Sequence, residues 1–210
     1  MNLTVTSYCQ INSERIVVNG AELPVPISDG GKLDLKTLYK QLNIQYPKFY
    51  KMDALCQLGF LASELIIKGN SQLKNYADDE VAMILTNKSS SLDSDLKHQK
   101  SINDLDNFFP SPAVFVYTLP NIALGEIAIR NSFKGENSFF IFESFNADFF
   151  ATYVPELFES GDTKALIGGW IEAFENNFEA FLFSVEKQTG VIDMPFNAAQ
   201  LKKLYNFETV

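Results

Sequence analysis

Strand signals that alternate with helix signals predict an α/β domain whose sheet is covered on both faces. Three observations carry that expectation. Residues 81–86, VAMILT, form a continuous apolar run, as a strand does when both of its faces are buried. Residues 51–68 place Met52, Leu55, Leu58, Gly59, Ala62, Leu65 and Ile66 on one helical face, with Lys68-Gly69-Asn70 as the stop. Beyond residue 110, short strands and helices follow one another to the end of the sequence.

The remaining elements follow from local chemistry. Residues 1–8 alternate loosely and suit a strand, and residues 14–18 suit a second short one. Asn19-Gly20 signals a turn, and residues 24–31, rich in Pro and Gly, a loop. Leu35, Leu38, Tyr39 and Leu42 give helical spacing over residues 34–42. Residues 87–107 are rich in Ser, Asp, Lys and Asn and read as a mobile surface loop. Ser111 is placed to cap a helix with Pro112 at its first position, and Leu119-Pro120-Asn121 breaks that helix. A second helix is expected at 121–132, a strand at 138–143 and a helix at 146–159. Strands at 164–168 and 178–186 and a helix at 196–205 complete the series.

The chain has 210 residues, enough for one domain spanning 1–210. Its net charge of −9 argues against binding nucleic acid or an acidic membrane, because phosphates are held by cationic surfaces. Cys9 and Cys56 lack ligand-like spacing and read as buried thiols in a reducing cytoplasm. No apolar run is long enough to span a membrane, and residues 1–20 do not read as a signal peptide. Glu143, Asp148 and Glu156 lie near one helix without His or Cys, so a solvated acidic face is expected there, with no metal and no cofactor. FESFN is not a GxSxG elbow, and no Gly-rich phosphate loop is present. His98, the one histidine, reads as a solvated loop residue. Among 19 Phe, six (Phe139, Phe140, Phe142, Phe145, Phe149 and Phe150) crowd one segment. They fill a core or face a partner.

A series of short landmarks in residues 45–187 resembles the N-terminal half of β-ketoacyl synthases, condensing enzymes of the thiolase-like superfamily. Tyr50-Lys51-Met52-Asp53 and the helix after it resemble the family's early R-M-D helix. Residues 81–90 resemble its strand leading into a Ser-rich turn. Ser111-Pro112, Thr118-Leu119-Pro120-Asn121 and Gly125 resemble its SP…TLPN…G helix pair. Lys134-Gly135-Glu136-Asn137 resembles its KGPN turn, and Gly161-Asp162 with Ile167-Gly168-Gly169 its GD…GG strand. Phe181-Leu182-Phe183-Ser184-Val185-Glu186 stands where the family has ALVLE.

The resemblance implies a thiolase-like half, with a mixed, mostly five-stranded sheet and helices on both faces. It places the nucleophilic cysteine of the family at Ser144, a residue whose simpler reading is a helix N-cap. The family's two catalytic histidines, which come from a C-terminal half, have no counterpart. An isolated half is expected to leave an apolar face uncovered. The strand over Ser138, Phe139, Phe140 and Ile141 is the implied dimer interface, and Phe142, Phe145 and Asn146 the implied lining of an acyl cavity.

The role implied is a non-catalytic subunit that pairs with an active ketosynthase as a heterodimer. It would shape the acyl-chain cavity, as chain-length factors do in fatty-acid, polyketide or aryl-polyene biosynthesis. Acyl carrier protein would be met indirectly, through the active partner. The alternatives are a truncated acyltransferase or thioesterase acting through Ser144, its missing groups supplied in trans by a homodimer, and a stand-alone domain that holds a free acyl chain. Lys32, Lys36, Lys40, Lys48 and Lys51 form a locally basic stretch, read either as a solvated face or as a surface that touches a carrier protein.

Overall fold

All seven residues from Val81 to Asn87 are buried, and they form the strand around which the other elements are placed. The computed structural model describes residues 2–28, 31–103, 109–187 and 194–207. Its strands are β1 (Leu3–Ile11), β2 (Ile16–Val18), β3 (Ala21–Leu23), β4 (Val81–Asn87), β5 (Asn137–Ile141), β6 (Ala165–Phe174) and β7 (Asn177–Lys187). They form one sheet in the order β3-β2-β1-β7-β6-β4-β5. β4 runs parallel to both β5 and β6, and the remaining pairs are antiparallel. The sheet therefore has seven strands, not five. The extra width comes from the β2–β3 hairpin. β3 is three residues long, with Ala21 and Glu22 exposed, too short to carry a period.

The helices are α1 (Leu35–Gln41), α2 (Ala54–Gly69), α3 (Leu92–Ile102), α4 (Pro112–Val116), α5 (Ile122–Asn131), α6 (Ala147–Glu159) and α7 (Ala198–Asn206). Alternation along β4 divides the core between the faces of the sheet. Val81, Met83 and Leu85 join Ile167, Ile171 and Leu182 beneath α1, α2 and α5. Ala82 and Ile84 join Leu166, Phe181, Phe183 and Val185 beneath α6 and α7. Twelve of the 16 residues of α2 are buried, which is why its sequence shows so little polar face. Asp53 caps it by accepting from the Cys56 N–H at 2.9 Å.

The expected loop over 87–107 is replaced, in its described part, by α3, and His98 lies on that helix. The polar composition hid it because Ser94 is the only residue of α3 that is buried. Leu92 and Leu96 share a face, and Asp93 pairs with Lys97 one turn on, at 2.6 Å. The strand expected at 164–168 runs on to Phe174 and turns at Glu175-Asn176, both at positive φ, straight into β7. Gly168 and Gly169 thus lie within β6 and do not end it. At Gly168 a Cβ would stand 3.2 Å from the Phe183 ring, and at Gly169 it would run into the backbone of Phe181 and Leu182. Two side chains are absent where strand and core come closest.

Candidate functional site

β5 pairs with β4 through Met83↔Asn137 to Asn87↔Ile141, and it is the last strand on its side of the sheet. None of its five residues is buried. Ser138, Phe139 and Phe140 are half-buried, and Ile141 is 50% exposed. Phe139 packs toward the α2–α5 face and Phe140 toward the α6–α7 face. Gly135 sets the entry to this strand, because it lies so close to the carbonyls of Asp79 and Val81 that a Cβ would not fit. Among the described residues, the outer edge of β5 is a free row of backbone donors and acceptors.

The chain leaves β5 at the C-terminal end of parallel strands β4 and β5. The Phe142 N–H donates to the Asn87 carbonyl at 2.8 Å. Five residues then lead into α6. Ser144 is exposed on this bend, and among the described residues no side-chain hydrogen bond holds it. It does not cap the helix. Asn146 does, accepting from the Phe149 N–H at 2.9 Å. An amide two residues further on fits the turn, so the serine hydroxyl is left to solvent.

Phe142 and Phe145 go separate ways. The Phe142 ring lies 4.9 Å from Phe149 in a cluster with Phe140 and Tyr153. Phe145 turns inward, 4.7 Å from Tyr205, 5.1 Å from Phe181 and 5.7 Å from Phe150. Phe181 and Tyr205 also line a small cavity of about 130 Å³ with Gln10 and Glu179. The Tyr205 hydroxyl donates to Glu179 at 2.8 Å, and the Trp170 indole N–H donates to the same carboxylate at 3.2 Å. Burial and the adjacent carboxylate together raise the Tyr205 pKa, so the phenol stays protonated as a donor.

The expected open face is not on the helical layer beside Ser144. α6 and α7 cover that side of the sheet, and α6 turns Asp148, Thr152, Glu156 and Glu159 outward. Asp148 pairs with Lys202 of α7 at 2.7 Å. Glu143 and Glu156 are exposed as well. Exposed apolar surface gathers instead on α3, α4 and their flanks: Leu92, Leu96, Phe109, Phe115, Val116 and Leu119. α3 and α4 pack together, with His98 tilted on Phe115 at 5.3 Å. The Ser91 hydroxyl, at the start of α3, ties that helix to the segment after α4 by donating to the Thr118 carbonyl at 2.8 Å. This layer leaves no periodic signal in the sequence, because its apolar residues are scattered through a polar stretch.

Neither cysteine can act as an exposed nucleophile. Cys9 and Cys56 are both buried. Burial pushes the Cys9 thiol up to about 12, and burial with nearby Asp53 raises Cys56 well above the ordinary thiol value.

No family model matches the chain, and no curated protein matches its sequence. Solved structures do match. The ishigamide ketosynthase/chain length factor superposes with a TM-score of 0.67 at 19% identity, over 93% of this chain and 64% of that one. The ketosynthase ApeO in complex with its chain length factor ApeC, from Xenorhabdus doucetiae, gives 0.58 at 14% identity, over 99% of this chain and 91% of the matched chain. The type II AntDE:AntF complex of ketosynthase and acyl-carrier protein gives 0.62 at 14%, over 89% and 63%. The chain has the fold of ketosynthases and chain length factors. It spans less than two thirds of the ishigamide and AntDE:AntF chains but nearly all of the matched chain in the ApeO–ApeC complex. Among the described residues no helix is long and apolar enough to cross a membrane.

Proposed function

We propose that this chain is a ketosynthase-like subunit without condensing activity of its own, which pairs with an active ketosynthase and bounds the cavity that receives the acyl chain. The observation that carries this reading is the pairing of a free β5 edge with an exposed serine on the turn that follows it, in a chain whose two thiols are both buried. An edge strand with half-buried aromatic residues is suited to strand addition. The apolar surface of α3 and α4 extends the area a partner would cover. A serine without a base does not replace an activated thiolate. Among the described residues no side chain is hydrogen-bonded to Ser144 to serve as that base.

In this reading Ser138, Phe139, Phe140 and Ile141 form the subunit contact. Phe142, half-buried beside the β5 edge, faces the partner's acyl chain, while Phe145, packed on Phe150, Phe181 and Tyr205, and Asn146, the cap of α6, hold the bend behind it. The near-equal length of the matched chain in the ApeO–ApeC complex supports a subunit of this size in a ketosynthase pair.

Native mass spectrometry of the tagged chain purified from its own cells tests the pairing. A 1:1 complex with a cysteine-bearing ketosynthase is expected, together with no acyl adduct on Ser144 after incubation with acyl thioesters. A homodimer that acquires an acyl group on Ser144 would overturn the reading in favour of a serine acyltransferase.

A further inference from the structure

The cavity of about 130 Å³ beside Tyr205 gathers polar groups that the fold itself leaves unsatisfied. Gln10 of β1 lines it, 6% exposed and in register with Phe181 of β7. Both N–H groups of its amide are committed, donating to the Leu204 and Tyr205 carbonyls at 2.8 Å and 2.6 Å. That fixes which way the amide faces, and its buried Oε1 accepts no hydrogen bond among the described residues. A buried acceptor in that state requires a donor.

Two opposite charges, Arg15 and Glu179, line the same cavity without pairing. Asn12 accepts from the Glu14 and Arg15 N–H groups, each at 2.9 Å, and so fixes the turn that carries Arg15. The Arg15 guanidinium lies 4.5 Å from the centre of the Phe207 ring. Tyr205 and Trp170 donate to Glu179, one to each carboxylate oxygen. They use about half of the acceptor positions a carboxylate offers. Among the described residues neither Arg15 nor Glu179 forms an ion pair.

We infer that this cavity binds a small zwitterion of the α-amino acid class, independently of the ketosynthase-like reading of β5. The ligand's carboxylate meets the planar donor fork of Arg15, and its ammonium group donates to Gln10 Oε1 and to Glu179. One molecule then satisfies both unpaired charges and the orphan acceptor. A simple anion would leave Gln10 and Glu179 unserved, and a simple amine would leave Arg15 without a counter-charge. Volume limits the side chain. A cavity of about 150 Å³ takes benzene, so this one takes about five or six heavy atoms, the size of glycine or alanine.

Trp170 is the one tryptophan of the chain, so its indole N–H, which donates to Glu179, gives a single resonance at the site. The test is NMR titration of the full, isotope-labelled chain with glycine and with L-alanine. A saturable shift of that resonance is expected, with a dissociation constant of about 1 mM, within reach of so small a ligand. Acetate and methylammonium, each carrying one of the two charges, should bind about ten-fold more weakly or less. Arg15→Gln should weaken glycine binding about ten-fold, whereas Lys68→Gln, the same charge change at the exposed end of α2, should leave it within about two-fold. Circular dichroism checks that each variant folds. If Arg15→Gln does not fold, Glu179→Gln replaces it, with a similar loss expected. Three results would overturn the inference: no saturable shift with either amino acid at about 50 mM, acetate binding as tightly as glycine, or equal weakening by the site variant and Lys68→Gln.

Discussion

β4 and β5 lie side by side and parallel in one sheet, yet every residue of β4 is buried and none of β5 is. β4 has a neighbour on each edge and helices over both faces. Its side chains are fixed by packing, and its Thr86 hydroxyl is satisfied by the Gly169 carbonyl at 3.0 Å. Among the described residues β5 has one neighbour, and it carries half-covered phenylalanines and a half-exposed isoleucine. The first strand holds the fold, and the second offers a surface. Stability and association should therefore separate cleanly when the two strands are mutated.

The largest expected effect is on β4. Ile84 is fully buried between Leu166, Phe183 and the helices of the α6–α7 face. Ile84→Ala removes its branched chain from a packed core and should cost about 2–5 kcal/mol. Urea denaturation followed by circular dichroism measures this. A loss well under 1 kcal/mol would mean that β4 is less central than its burial indicates.

An intermediate effect is expected at Phe140 of β5. Its ring lies 4.8 Å from Phe149 and 5.5 Å from Tyr153 but remains partly open to solvent. Phe140→Ala should cost about 1–2 kcal/mol in the same denaturation, less than a fully buried phenylalanine. A cost equal to that of Ile84→Ala would erase the distinction between the two strands.

The same contrast explains what the sequence made legible. Val81 to Thr86 announce a central strand because burial on both faces demands a run of apolar residues. Ser111-Pro112 and Leu119-Pro120-Asn121 marked the ends of α4 and α5, and Ser111 does cap, accepting from the Val114 N–H. Such signals are local. The path of Phe142 away from Phe145 was not legible, because it depends on where α6 and α7 press against the bend. The sequence points to Ser144 as the cap, whereas Asn146 takes that place, since both residue types serve and the backbone path chooses. The crowded phenylalanines suit either a core or a contact in sequence alone. They divide between the two, with Phe150 buried and Phe139, Phe140 and Phe142 half-covered beside the free edge.

The smallest expected effect on stability is at Ile141, where the largest effect on assembly is also expected. Its side chain is half-exposed at the end of β5, so Ile141→Lys should change unfolding free energy by no more than about 0.5 kcal/mol. If β5 pairs with a partner strand, the same change sets an ammonium group inside the contact, where its desolvation is not offset, and should weaken association about ten-fold or more. Sedimentation velocity on the purified complex, beside denaturation of the free chain, separates the two quantities. A complex that survives Ile141→Lys unchanged would move the contact away from β5, leaving the apolar surface of α3 and α4 as the place to mutate next.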